Sequence, residues 1–180
     1  MASKVETYTR YPLSSVLSYN GVTVLHYLLG GFGIVLGYNL SGLSYLFGAL
    51  YLAFALIQMY LLLPLTVCPN CVYYRMSGSF CISGMNLVSK KIAKEGKLED
   101  LPKRAKGPFC YNNLYLAALI IPIAAMIPAL ILNFSFILLA VLLVVVGLLL
   151  FRFFFVFTHV ACVHCAAKTI CPNAKAMGLA

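Results

Sequence analysis

Four long apolar runs dominate the chain, and short polar or cysteine-containing segments separate them. The runs extend over about residues 22–38, 43–65, 114–132 and 134–157. Each is close to the roughly 20 residues that a helix needs to cross the hydrocarbon core of a bilayer. The pattern predicts an all-α integral membrane protein, a bundle of four transmembrane helices that forms a single domain over residues 1–180.

A fifth, weaker helical pattern lies between the second and third runs. Four apolar residues recur there at helical spacing and three lysines stand beside them: Ile82, Met85, Val88 and Ile92, with Lys90, Lys91 and Lys94. An apolar stripe edged by lysines is typical of a helix that lies on an anionic membrane surface. We therefore predict an interfacial amphipathic helix in this segment, and a docking helix for a soluble partner is the alternative.

The first apolar run is rich in glycine, and four of these residues lie in its second half: Gly30, Gly31, Gly33 and Gly37. Small residues in a membrane span usually mark a face where a neighbouring helix packs closely. We therefore expect the first helix to contact another helix of the bundle along this face.

The composition indicates the same class of protein. Hydrophobic residues make up 63% of the 180 residues and charged residues only 9%, far outside the range of soluble globular domains. The sequence contains no P-loop, G-x-S-x-G, H-E-x-x-H or dinucleotide fingerprint. Its four acidic residues all lie outside the apolar runs, so ion transport through carboxylates in the bundle is disfavoured.

The positive charge predicts the orientation. Lysines and arginines occupy the first ten residues, the segment between the second and third runs, and the tail, whereas the connections 39–42 and 133–135 carry none. Because Lys and Arg concentrate in cytoplasmic loops, we predict a multi-pass protein of the cytoplasmic (inner) membrane. Both termini and the segments 66–113 and 158–180 then face the cytoplasm. Membrane topology alone accounts for the positions of the positive charges, so nucleic-acid binding is not expected.

The cysteines carry the clearest chemical signal. All seven lie in the predicted cytoplasmic segments: Cys68, Cys71, Cys81, Cys110, Cys162, Cys165 and Cys171. A C-x2-C pair with a third cysteine downstream follows both the second and the fourth run, and this likeness suggests a parallel repeat. A reducing compartment disfavours structural disulfides, so clustered thiols there are typical of metal ligands or catalytic thiols.

Two ligand arrangements fit the cysteine spacing. In the first, one four-thiolate site forms at the ends of the second and fourth helices, from Cys68, Cys71, Cys162 and Cys165. In the second, two sites form, one from Cys68, Cys71, Cys81 and Cys110, the other from Cys162, Cys165 and Cys171 with His159 or His164. The sequence does not choose between the two arrangements.

Thiolate-rich ligation favours an iron–sulfur cluster or zinc over hard cations. Cysteine followed by proline, as at Cys68 and Cys171, is familiar from ferredoxin-type cluster motifs. We therefore expect one or two iron–sulfur clusters in an electron-transfer subunit, which works between a cytosolic redox protein and a membrane acceptor such as a quinone or another subunit. Two alternatives remain: an accessory or assembly subunit stapled by zinc, and a membrane thiol–disulfide oxidoreductase.

One arginine and two histidines, inside the first and fourth runs or next to them, complete the candidates. Arg152 lies well inside the fourth run and either extends to the headgroups or faces the bundle, where it would balance an anionic cofactor. His26 and His159 are predicted at similar depth, as a bis-histidine haem b requires, and two unrelated histidines are the alternative. The twelve tyrosines are expected mostly in an interfacial belt.

Overall fold

The computed structural model describes residues 6–38 and 42–179. Its helices are α1 (Leu13–Gly37), α2 (Gly42–Asn70), α3 (Val72–Arg75), α4 (Met85–Ile92), α5 (Tyr111–Leu132), α6 (Phe136–Ala161) and α7 (Pro172–Ala176). A 3-10 segment, Leu98–Ala105, lies between α4 and α5. The four helices α1, α2, α5 and α6 are long and apolar enough to cross a membrane, as the sequence predicts. Residues 1–5 and 39–41, which belong to two of the predicted loops, lie outside the described residues.

The long helices extend beyond the apolar runs that predict them. α1 begins at residue 13 rather than about 22, and α2 continues to residue 70. Polar side chains near the start of α1 find partners inside the protein: the Asn20 amide donates to the Val16 and Ser83 carbonyls. A hydropathy criterion ends the predicted span at such residues, whereas the helix includes them because the Asn20 amide N–H groups find acceptors inside the protein.

The helices α2 and α6 change their winding at matching places. Both are α-helical at first and continue as a π-helix, over Gln58–Val67 in α2 and Arg152–Ala161 in α6. The cysteine that follows each π-helix donates its backbone N–H to the carbonyl five residues earlier. Such segments are rare and frequent at functional sites. The likeness of the two halves thus extends to their backbone, and it gives Gln58 and Arg152, both buried, equivalent positions.

The N-terminal stretch, the middle segment and the tail meet at one end of the bundle. The Tyr8 N–H donates to the His164 carbonyl and the Tyr11 N–H to the Phe80 carbonyl, each over 2.9 Å. The Tyr11 hydroxyl also donates to the Ala161 carbonyl at the end of α6. The segments predicted to be cytoplasmic therefore share one face of the protein.

The short helix α4 buries a polar face rather than an apolar one. Asn86 and Ser89 are buried, whereas Leu87, Val88 and Ile92 are exposed. The Asn86 amide fixes the helix to the preceding loop, because it bonds to backbone groups there. The other two apolar residues of the predicted stripe pack against the core instead. An outer face of apolar side chains beside lysines suits a membrane surface, so the interfacial position stays a prediction.

The glycine-rich face of α1 lies where α2 and α5 approach it, as expected from the sequence. A Cβ atom on Gly37 would lie 2.8 Å from the Cβ atom of Ala129 in α5, and one on Gly31 would lie 2.8 Å from Leu52 Cγ in α2. The absence of side chains at these positions allows α1 to contact both neighbouring helices closely.

Candidate functional site

The two cysteine triplets meet around one cavity, at the end of the bundle where the N-terminal stretch from residue 6 onward, the middle segment and the tail meet. This cysteine cavity has a volume of about 150 Å³. Six of the seven cysteines line it: Cys68, Cys71 and Cys81 from the first half, and Cys162, Cys165 and Cys171 from the second. All of them are free thiols. The sequence predicts both triplets on one face, and the structure brings them to a common space.

Both C-x2-C pairs have the same local backbone. The Cys68 carbonyl accepts the Cys71 N–H over 3.0 Å, and the Cys162 carbonyl accepts the Cys165 N–H over 3.2 Å. One turn closed by a bond between residues three apart therefore follows each π-helix, and it brings the two cysteines of each pair close together. The third cysteine of the second triplet, Cys171, is the N-cap of α7.

The thiols line the cavity without forming a closed ligand set. Among the described residues, no three Cys, His, Asp or Glu side chains stand in an arrangement that holds a metal ion. Burial raises the pKa of Cys71 and Cys162 to about 11 and that of Cys165 to about 12, and neighbouring cysteines contribute to each shift. These thiols are therefore protonated at neutral pH in the metal-free chain. Thiols that carry out disulfide exchange usually have a lowered pKa instead.

Buried tyrosines form much of the cavity wall and of the bundle interior. Six are buried: Tyr11, Tyr27, Tyr51, Tyr73, Tyr111 and Tyr115. These six lie inside the protein rather than in the expected interfacial belt, and the hydroxyl groups of five of them, all but Tyr115, find partners there. The Tyr51 hydroxyl donates to the Ala118 carbonyl over 2.9 Å, and the Tyr27 hydroxyl accepts from the Gln58 amide over 2.9 Å.

Arg104, in the 3-10 segment, is the cation that lines the cysteine cavity. Its Nε donates to Asn112 Oδ1 over 3.0 Å, and its guanidinium lies 5.3 Å from the ring centre of Tyr111. Its charge lowers the pKa of Cys71 and Cys162, against the larger effect of burial. Sequence reasoning missed this residue because the positive-inside rule already accounts for a basic loop.

Arg152 lies below the cavity, inside the bundle. It is only 1% exposed, so it faces the other helices and does not extend to the surface. Its Nη1 donates to the Thr23 hydroxyl. Its Cζ lies 4.7 Å, 5.1 Å and 5.3 Å from the ring centres of Tyr19, Tyr115 and Phe157. These three rings also line the cysteine cavity, so they separate the guanidinium from it.

The other predicted ligands lie outside the cysteine cavity. Cys110 is the N-cap of α5. The His159 ring is exposed and stacks on Phe155. The His164 ring stacks on Tyr8, and its Nδ1 lies 2.8 Å from the carbonyl of a residue in the N-terminal stretch. Their roles as ligands in the arrangement with two sites stay predictions.

His26 and His159 have different surroundings. His26 is 1% exposed, and its Nε2 lies 3.0 Å from the Leu119 carbonyl in α5. His159 is exposed, and its Nδ1 lies 2.7 Å from the hydroxyl of the adjacent Thr158. These contacts hold the two rings to separate partners, so the bis-histidine haem remains a sequence prediction that they do not support.

The site is thus defined by its geometry: six free thiols and several buried tyrosines surround one cavity, with Arg104 in its wall and Arg152 beneath it. Both halves of the chain contribute equivalent turns to it. Comparisons of the chain with models of protein families, with curated proteins and with solved structures return no match.

Proposed function

We propose that the cysteine cavity holds a thiolate-ligated metal centre, an iron–sulfur cluster first, in an electron-transfer protein of the cytoplasmic membrane. The observation that carries this proposal is the convergence of six thiols from two separate triplets on one cavity. Soft thiolate ligands select iron–sulfur clusters and zinc. A metal displaces the thiol protons on binding, so the raised thiol pKa values are compatible with such a centre.

The surface of the long helices supports insertion into a bilayer. Large apolar side chains point outward along α2, where Leu46, Phe47 and Leu50 are 52%, 51% and 57% exposed. A surface of this kind is unfavourable in water and favourable in lipid. Most lysines and arginines of the described residues lie in the segments that meet at the end with the cysteine cavity, so this end faces the cytoplasm in the proposed topology.

The charges around the cavity favour an anionic centre. Four thiolates carry more negative charge than a zinc ion carries positive charge, so a zinc site of this kind is net negative. An iron–sulfur cluster held by four thiolates is expected to be net negative as well. Arg152 is a buried cation, and the four acidic residues of the chain all lie outside the long helices. A buried charge of this kind is costly unless an opposite charge lies near it. An anionic centre above Arg152 would supply that charge, and Arg104 would add a second cation at the wall.

The first experiment is anaerobic purification followed by analysis of iron, zinc and acid-labile sulfide, with visible and EPR spectra. Iron with matching sulfide and an absorbance that bleaches on reduction is the result expected for a cluster. Colourless protein with tightly bound zinc would replace the proposal with the zinc-stapled subunit. Protein without metal, in which a single thiol of a C-x2-C pair traps a disulfide partner, would replace it with thiol exchange.

Arg152→Gln tests whether the positive charge beneath the cysteine cavity affects the metal centre. Glutamine is chosen because Gln58 occupies the equivalent position in the first half of the chain. The expected result is a lower midpoint potential, because the lost cation no longer stabilises the reduced, more negative centre. At roughly 15 Å and an effective dielectric constant of about 20, the change is about 1 kcal/mol, or roughly 50 mV for a one-electron couple. Redox titration followed by EPR measures it.

Two variants control that experiment. Arg152→Lys keeps the charge and should keep most of the potential. Arg75→Gln removes an arginine that is paired on the surface with Glu95 over 2.9 Å, and it should leave the potential unchanged. A folded, metal-loaded Arg152→Gln protein with the wild-type potential would contradict the role of Arg152 as a countercharge.

A further inference from the structure

A second cavity shares a wall with the cysteine cavity. It has a volume of about 440 Å³ and lies between α2, the 3-10 segment and α5. We call it the lateral groove, because exposed Thr66 and Phe109 border it. Four residues line both cavities: Val67, Leu101, Arg104 and Tyr111. Its volume is within the range of small-molecule sites, roughly 300–1,000 Å³.

The lateral groove has a polar and an apolar end. The 3-10 segment supplies the polar end with Asp100, Lys103 and Arg104. The Asp100 carboxylate pairs with the Lys103 ammonium over 2.7 Å, and no carboxylate of the described residues pairs with Arg104. At the other end, Leu62 of α2 and Leu114 of α5 lie further along their helices toward the middle of the bundle. A matching ligand has a head that accepts hydrogen bonds and an apolar tail.

We propose that the lateral groove binds the head group of an isoprenoid quinone, which enters from the bilayer and accepts electrons from the metal centre. This inference rests on the proposed function. A quinone carbonyl accepts a hydrogen bond from Arg104, and the tail follows Leu62 and Leu114 into the membrane. A phospholipid phosphate would accept the same hydrogen bond from Arg104, because Lys103 already neutralises the Asp100 carboxylate, so competition with dioleoylphosphatidylglycerol separates the two occupants.

The shared wall places the quinone head next to the metal centre. The quinone takes up two electrons, one at a time from the centre, and two protons from cytosolic water, and it leaves as the quinol. These electrons would come from a cytosolic one-electron donor protein, by way of the metal centre that the cavity cysteines would hold. Arg104 stabilises the negative charge on the quinone oxygen after the first electron, as a fixed cation does for a developing oxyanion.

The test uses decylubiquinone as the probe and detergent-purified protein, both metal-loaded and metal-depleted. Leu114→Trp fills the lateral groove. Leu116→Trp is the matched control, since Leu116 lies on the same helix, is 42% exposed and does not line the groove. We expect the Kd of decylubiquinone to rise at least about tenfold in Leu114→Trp and to change less than about twofold in Leu116→Trp.

A second pair of variants probes the polar end. Arg104→Gln should raise the Kd of decylubiquinone at least about tenfold, whereas Lys106→Gln, outside the groove, should not.

Equal affinities within both pairs would overturn the inference, and so would displacement of the probe by an equal concentration of dioleoylphosphatidylglycerol. Wild-type protein that binds the probe in the groove but contains no metal would refute the electron transfer and keep the site. Metal-loaded protein with unchanged groove variants would refute the groove alone.

Discussion

Replacing either Cys68 or Cys162 by serine is expected to remove the metal centre. Both residues end a π-helix, open the turn of a C-x2-C pair and line the cysteine cavity. A serine hydroxyl stays protonated at neutral pH and does not replace a thiolate ligand. Because each half of the chain supplies part of one shared cavity, loss of one thiol should reduce the metal content to below about a tenth of the wild-type value. Metal analysis of anaerobically purified protein measures the loss.

Cys110→Ser is the matched control for these variants. Cys110 is also a free and buried thiol, but it caps α5 and does not line the cysteine cavity. Retention of full metal in Cys110→Ser, together with its loss in Cys68→Ser, would favour the arrangement with one shared site. Full metal in a Cys68→Ser, Cys162→Ser double variant would exclude that arrangement.

The third cysteines separate the two ligand arrangements further. If Cys68, Cys71, Cys162 and Cys165 alone bind the metal, Cys81→Ser and Cys171→Ser should keep it. If each half holds its own site, each of these variants should lose about half of the metal, because only one of the two sites is affected. Both residues line the cavity, so both are close enough to take part.

The sequence predicted the bundle and the placement of the cysteines on one face, because hydropathy and charge act residue by residue along the chain. It also revealed the likeness of the two halves through their C-x2-C pairs. The matching positions of Gln58 and Arg152 are visible in the sequence too, ten residues before the first cysteine of each pair. Only the structure shows that each of these two residues begins a π-helix that ends next to a C-x2-C pair.

Other parts of the site depend on contacts between distant segments. Arg104 reaches the cavity because Asn112 holds its Nε and Tyr111 lies beneath its guanidinium. In the sequence it is one of several cations in a basic loop. The buried tyrosines were likewise assigned to the membrane interface, since hydropathy does not show which hydroxyl groups find an internal partner. Such pairings are set by tertiary packing, which a single sequence does not display.

The sequence predicts a helix contact along the glycine-rich face of α1, and in the structure α5 is one of the helices that approach this face. Gly30 lies at the junction of three helices. A Cβ atom there would lie 2.7 Å from the Cβ atom of Pro122 in α5 and 3.0 Å from the Tyr51 hydroxyl in α2. The proline ring is rigid, and the Tyr51 hydroxyl already bonds to the Ala118 carbonyl of α5. Pro122 cannot yield without moving α5 away from α1, and the Tyr51 hydroxyl cannot yield without losing its hydrogen bond to α5.

Gly30→Val is therefore expected to destabilise the protein by about 3 kcal/mol or more, since overpacking a close contact forces backbone shifts. The same shift would move Tyr115, which packs against Arg152 beside the cysteine cavity, so metal should be lost as well. Titration of the detergent-solubilised protein with SDS, followed by circular dichroism, measures the unfolding midpoint.

Gly21→Val is the control for this prediction. Gly21 lies in the same helix and is exposed, and a Cβ atom there meets no atom within 4 Å. Both substitutions introduce the same β-branched side chain into α1, with a similar effect on helix propensity. The difference between their unfolding midpoints therefore isolates the helix contact. Equal midpoints would contradict a close approach of α1 and α5 at Gly30, and with it the packing that holds Tyr115 and Arg152 beneath the cysteines.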